Sequence, residues 1–549
     1  MKKGLLSLIV LLSVTLFLIG CGTSATTPAT SSSPAMSTTV KTTAATSTAP
    51  TTTAAKTTTT TPAAGPKYGG TLTVIYDSSP AGSVGYPPEL TSDATTAPQL
   101  VIEPLLKENN KGEFTPWLAE SYKLADDRMS ITFTLRKGIQ FHDGSNFDAT
   151  VAKWNMDNQI AAKKTSTWAS VDLIDQYTVR VNFTKWQNTN LSGFSGATSW
   201  MISKAAFDKN GLDWVRQNPI GTGPFKFVSF LKDTSFKTTR NTNYWRKDAQ
   251  GNQLPYLNAV TFLFITDPVT QESAMKAGEA DMLTVKHGSK VASDLAAVGF
   301  TVKSAAIDTS VLFGDTINAD SPWSNLKVRQ AAECAIDRDA IAKMGYGFWK
   351  PAYQIPGSAD VPYDPNFSLY RKYDVAAAKQ LLTDAGYPSG FTTSLIACPF
   401  NLNQDVVVAI QGYLAKVGIK ADIQYPDAGK FTSDITLGKW KNGLVYEPIA
   451  GFPNYMTIFS ALFNPVTNFH PSWLRTPEWL AAYSAAMAAP APDAKLMRAF
   501  TDLMVKDDSM IPVNEGGRGW AYMSYVKDIG VLETQLPPYL NFENGWLDK

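Results

Sequence analysis

Arg136, His142 and Asp143 stand within eight residues of one another, a set that would suit proton transfer or metal binding. A metal site would need further ligands close by, and the other two histidines of the chain are distant, at 287 and 470. A structural part is therefore expected, with Asp143-Gly144 forming a turn and His142 hydrogen-bonding within it. The segment Pro219-Ile-Gly-Thr-Gly-Pro-Phe-Lys-Phe227 is glycine-rich, but it lacks the Gly-Lys-Ser/Thr ending that cradles phosphate and reads as a tight entry to a strand. No G-x-S-x-G nucleophile elbow occurs. Cysteines stand at 21, 334 and 398, too few for a disulfide scaffold or a four-thiolate metal site. Cys334 and Cys398 read as buried thiols, and a bond between them requires Cα atoms within about 7 Å. Arg371 and Arg518 have the donor geometry for a carboxylate. No catalytic group, metal site or cofactor is expected.

These residues sit in a chain of 549, with 49 Lys plus Arg against 48 Asp plus Glu. That balance argues against a nucleic-acid binder, which needs a basic surface to meet phosphates. Residues 1–20 combine Lys2 and Lys3 with an apolar run from Leu5 to Ile19, the order of a signal peptide. Residues 22–66 hold 18 threonines and only two charges, Lys41 and Lys56. Such a tract cannot offset the entropy of ordering and reads as a disordered tether, with a reach of roughly 150 Å if fully extended.

Beyond it the pattern alternates between strand and helix. Strands are expected at 67–76, 122–128, 129–136, 171–183 (a pair), 225–230 and 419–423. Helices are expected at 148–161, 328–341, 375–385, 405–417 and through 481–505. No repeat of 20 to 50 residues is visible, so a mixed α/β body with two substantial lobes is the expectation.

Several blocks carry a resemblance. Trp117-Leu-Ala-Glu-Ser-Tyr122, Phe133-Thr-Leu-Arg-Lys-Gly-Ile-Gln-Phe-His-Asp-Gly144, Phe147-Asp-Ala-Thr-Val151, the 219–227 block, Val328-Arg-Gln-Ala-Ala-Glu-Cys-Ala-Ile-Asp-Arg338, the leucine pair of 377–386 and Val417-Gly-Ile-Lys420 follow one another in order. Together they resemble the family 5 extracellular solute-binding proteins that serve peptide and nickel ABC transporters. Leu18-Ile19-Gly20-Cys21 is similar to a bacterial lipobox, in which the cysteine takes a lipid.

The resemblance implies a periplasmic-binding-protein-like two-lobed fold of the cluster C type, with an extra subdomain in the first lobe. The divisions it suggests are 1–20 signal peptide, 21–66 lipidated cysteine and tether, 67–85 start of lobe I, 86–204 extra subdomain, 205–310 lobe I, 311–509 lobe II and 510–549 return to lobe I. The crossings between lobes are expected near 311–316 and 509–514. The implied function is non-enzymatic. A monomer, anchored outside the cytoplasmic membrane, captures a small solute and delivers it to ABC permease subunits. A peptide is favoured, with a sugar, an aromatic metabolite or a nickel complex, or a sensing role, as alternatives. Peptide binders of the family have an acidic block where this chain has Trp440 to Tyr455, and its Asp-Pro ending is absent here, leaving Glu447 to supply the charge. The ligand-facing residues implied are Tyr86, Trp200, Phe313, Phe400, Asn401, Tyr446, Glu447, Asn454 and Tyr455, with Cys21 as the lipidation site.

Overall fold

Alternating apolar residues in Thr71–Tyr76 start the first sheet of the computed structural model, which describes residues 65–549 apart from 91–94, 110, 286–288, 305–307, 400–402, 465–468 and 531–539. This strand lies at the centre of seven, in the order Thr301–Ser304, Gly519–Tyr522, Met282–Val285, Thr71–Tyr76, Ala259–Phe264, Ser235–Arg240 and Phe225–Leu231. Leu72, Val74 and Tyr76 face one core with Phe262 and Trp520, while Ile75 faces another with Leu283 and Leu295. The alternation therefore buries both faces of the strand.

A second sheet has six strands, Lys350–Pro351, Ile511–Gly516, Asp308–Gly314, Gly443–Ala450, Phe391–Ala397 and Ile419–Gln424. Leu312, Leu395, Leu444 and Tyr446 point to the side covered by the helices Leu326–Ala335 and Gln404–Lys416. Val311, Phe313, Ile396 and Val445 point to the other side, against Phe459, Trp473 and Phe500. The parallel strands Phe391–Ala397 and Ile419–Gln424 start together because two glycines touch there. A Cβ on Gly390 would come within 1.9 Å of the Gly418 carbonyl.

Residues 119–183 form a separate four-stranded antiparallel sheet, Ala119–Leu124, Ser130–Leu135, Thr178–Phe183 and Trp168–Asp175, with its own core around Phe133, Phe147 and Phe194. The helix Ala149–Ala161 backs it, started by the Asp148 carboxylate accepting from the Thr150 and Val151 amides. Where the pattern predicts one helix over 328–341 there are two, Leu326–Ala335 and Arg338–Lys343. Asp337 leaves helical geometry to cap the second by accepting from Ala340 N–H. The tract 481–505 is likewise split, into Pro477–Ala488 and Ala494–Lys506, because Pro490 and Pro492 lack amide donors and restrict the residues before them.

The 117–122 and 219–227 blocks meet at one buried carboxylate. Glu103 accepts from Trp117 Nε1 at 2.8 Å, Tyr244 Oη at 2.7 Å, Thr222 Oγ1 at 2.7 Å and Trp245 Nε1 at 3.0 Å. Gly221 is required beside it, since a Cβ would lie 2.0 Å from the Val101 carbonyl. His142 N–H donates to Gly221 O, and its Nε2 lies 2.9 Å from Gly223 O. Burial holds the imidazole down at about 4, so it is neutral. The 136–144 block and the glycine-rich loop thus build framework, as their residue types suggest.

The chain leaves the first sheet after Ser304 and is in the second by Asp308, then leaves the second after Gly516 and rejoins the first at Gly519. The segments 311–316 and 509–514 expected to cross lie mostly inside the second sheet, paired with each other through Val311–Pro512 and Leu312–Ile511. A crossing strand must give up its ladder partners, and those residues keep theirs.

Candidate functional site

The two crossings bring one end of each sheet to a common seam. In the first sheet Val285 pairs with Gly519, and the register of Val74 with Met282 sets Asp77 at the same level. In the second sheet Asp308 is flanked by Ala450 and Gly516. Arg518, between the sheets, donates from Nη1 to Tyr76 Oη at 2.9 Å, and Thr96 Oγ1 donates to the same oxygen at 3.0 Å.

The second-sheet side of this seam is acidic. Asp308, Asp360 and Glu515 are all buried. Glu515 Oε2 accepts from Ser358 N–H at 3.0 Å and Ser358 Oγ at 2.6 Å, and Asp360 Oδ2 accepts from Gly357 N–H at 2.7 Å. Asp360 Oδ1 has no hydrogen-bond partner. It sits over the chain at Gly451, where a Cβ would be 2.4 Å away. Burial drives the Asp360 carboxyl well above the usual carboxylate range. The Gly357 amide works against this shift, and the neighbouring Glu515 and Asp308 charges add to it. Acceptors gathered in a low-dielectric place reward a ligand that brings donors and positive charge.

A second junction joins the lobes through side chains rather than through strands. Trp186 Nε1 donates to Ala489 O at 3.0 Å, Asn188 Nδ2 to Ala486 O at 2.7 Å, and Asn454 Nδ2 to Asn188 O at 3.2 Å. Residues 186 and 188 follow the four-stranded sheet, whereas Ala486 packs with the second sheet and 454 and 489 adjoin helices that do.

The residues inferred from the sequence are dispersed. Asn454 is at the second junction and wholly buried. Tyr455 is buried beside it, donating its hydroxyl to Ile355 O at 2.9 Å. Phe313 is core, edge-on to Trp440 and Phe463, and Tyr446 is core on the opposite sheet face, bonded to Asn514 Oδ1 at 2.8 Å. Glu447 lies 3.6 Å from His470, whose ring stacks on Phe463. Burial pushes Glu447 up to about 8 and His470 down to about 3, so this is a neutral pair inside the core. Tyr86 is half-buried next to Phe207. Phe400, Asn401, His287 and Cys21 lie outside the described residues. Arg371 is committed to Glu333 and Asp508, at 3.0 and 2.9 Å. Cys334 and Cys398 are both buried and are not joined in a disulfide.

Asp77, Asp308, Asp360 and Glu515 were not singled out from the sequence. The available signal was Pro356-Gly-Ser-Ala-Asp360, a loop segment with a carboxylate, and it becomes meaningful only when strand pairing sets Gly451 beneath it.

Trp200 lines a cavity of about 210 Å³ inside the first lobe, whose walls include Leu100, Glu103, Lys107, Glu108, Trp117, Arg246, Phe542 and Glu543. Among the described residues no group of three His, Cys, Asp or Glu is placed to hold a metal ion, and no helix is long and apolar enough to cross a membrane.

The family described as bacterial extracellular solute-binding proteins, family 5 Middle, matches residues 113–465. A glutathione-binding protein, GsiB, of Salmonella paratyphi A is 30% identical over 331 residues, covering 58% of this chain and 62% of that protein. The chain thus spans less than two thirds of that relative in the matched region. The GsiB of Salmonella choleraesuis is 27% identical over 419 residues, covering 72% of this chain and 79% of its own. Among solved structures, the periplasmic binding protein DppA of Helicobacter pylori with the peptide STSA superposes with a TM-score of 0.71 at 22% identity, covering 88% of this chain and 99% of its own. NikA of Brucella suis with Fe(III)-EDTA gives 0.74 at 23% identity, covering 86% and 99%. At these identities the structural likeness is one of two-lobed fold.

Proposed function

The chain belongs to the bacterial extracellular solute-binding proteins of family 5, and from that premise we propose that it captures a peptide between its lobes and delivers it to the permease of an ABC importer. In this reading the protein acts as a monomer and performs no chemistry on its cargo. A lipid on Cys21 holds it outside the cytoplasmic membrane.

The observation that carries the peptide reading is the acidic seam, where the unpartnered Asp360 Oδ1 is buried with Asp308 and Glu515 close enough to act on its charge. A peptide's α-ammonium group supplies three donors and a positive charge to such a place. Closing the lobes removes water from the pair, which strengthens it, and creates the closed surface that a permease distinguishes from the open one. Relatives bearing the glutathione-binding name, and the solved neighbour holding the peptide STSA, support the choice of a peptide over a sugar.

The test is native mass spectrometry of the gently purified full chain, with ligand released by partial denaturation. Peptides or amino-acid conjugates with free amino groups are expected. A single solute lacking any amine would overturn the peptide reading.

A further inference from the structure

The cavity inside the first lobe is separate from the seam, and none of Asp77, Asp308, Asp360, Glu515 and Arg518 reaches it. It lies where two cores adjoin, with Leu100, Trp200 and Phe542 from one and Trp117 from the other. Its polar wall is unusual in its charges. Lys107 Nζ stands 3.8 Å from the Trp117 ring centre and Arg246 Cζ 4.1 Å from it. Arg246 is neutralised by Glu543, but Lys107 forms no ion pair with another described residue. On the acceptor side, Glu108 Oε1 and Asn541 Oδ1 are buried without a donor in hydrogen-bond geometry, and Glu108 Oε2 has a long contact of 3.3 Å from Ser195 Oγ with the Ser192 hydroxyl also near the carboxylate.

Unmatched buried acceptors are costly, and a polar space of about 210 Å³ does not stay empty. A purely anionic occupant would leave the acceptors unmatched, and a purely cationic one would leave Lys107 without a counter-charge. We propose that this cavity is a second solute site, which takes a small zwitterion of the aliphatic α-amino acid class. Its carboxylate meets Lys107 and Arg246, its ammonium meets Glu108 and Asn541, and its side chain lies against Leu100 and Trp200. The site does not depend on what the seam binds.

Isothermal titration of the full chain with L-leucine tests this. The controls are isocaproate, which lacks the amine, and isoamylamine, which lacks the carboxylate. The variants are Glu108→Gln and Lys107→Met, the latter keeping its stem on Trp117, with Asp360→Asn at the seam as the control for location. L-Leucine should bind wild type and Asp360→Asn alike. It should bind both cavity variants about tenfold or more weakly, as should either analogue to wild type. Unchanged melting temperatures in the two cavity variants keep the result a statement about the site. The proposal is overturned if L-leucine fails to bind, leaving water as the occupant. It is also overturned if both cavity variants keep full affinity, or if affinity is lost in Asp360→Asn alone.

Discussion

The side-chain amide of Asn454 donates to the backbone carbonyl of Asn188 at 3.2 Å, joining segments 266 residues apart through two wholly buried asparagines. Asn188 in turn donates to Ala486 O at 2.7 Å, so one residue after the four-stranded sheet is fixed to two elements of the second lobe. These bonds exist only with the lobes together, and each lobe exposes an amide when they part. They form a latch whose strength adds to whatever the ligand supplies.

Replacing Asn188 by Ala should therefore weaken ligand binding about three- to thirtyfold, the equivalent of one or two buried hydrogen bonds, chiefly through faster dissociation. Small-angle scattering of the ligand-free variant should show a larger radius than wild type. Unchanged dissociation and radius would remove the latch from the account.

Asp360→Asn keeps the shape of the side chain and its Gly357 contact while removing its ability to ionise against a bound amine. Affinity for peptides held at the seam by a free amino terminus should fall about tenfold or more, the size expected for a charge-assisted bond. Stability without ligand should hold or rise, since an acid buried near Asp308 and Glu515 is removed. Thermal melts with and without ligand separate the two effects.

Much of this architecture is readable in the sequence for a physical reason. The strand Thr71–Tyr76 and the helix Ala149–Ala161 announce themselves because alternation and an Asp cap are local properties. The seam is not local. Asp308 matters because it sits between Ala450 and Gly516, and Asp360 because Gly451 lies beneath it. No spacing rule relates those positions. Glu447 illustrates the converse, since a carboxylate near the expected block looks available until strand pairing turns it toward His470. The inferred residues Phe313 and Tyr446 sit on opposite faces of one sheet, so both cannot line one cleft directly from their own strands.

Glu447 makes stability pH-dependent in a definite direction. Its carboxyl titrates near 4.5 when unfolded and at about 8 when folded, so the native state holds the extra proton between those values. Its contribution is full below pH 4.5 and is lost as pH rises toward 8, by about 1.4 kcal/mol per pH unit at the steepest. His470 acts oppositely, stabilising above its unfolded value of 6.5 and losing that contribution as pH falls toward about 3. Between pH 6.5 and 8 the His470 contribution is complete, and Glu447 adds its loss to those of other carboxyls that burial raises, Asp360, Glu108 and Asp508. Glu447→Gln should make the fall in melting temperature over that window shallower, and a parallel profile would show that Glu447 is not protonated in the native state.

Cys21→Ala tests the anchor. The wild-type chain should partition into detergent and carry the mass of a lipid at its processed amino terminus, while the variant should lose both features. Equal partitioning of the two proteins would assign membrane attachment to the 5–19 apolar run instead.

The central claim is that the seam captures a solute through its amino group. Its most direct measurement is native mass spectrometry of the full chain mixed with equal amounts of one tetrapeptide pool bearing free amino termini and the same pool N-acetylated. Predominant binding of the free-amino peptides by wild type, with that preference lost in Asp360→Asn, is the predicted result. Equal binding of both pools, or a preference that survives in Asp360→Asn, would contradict it.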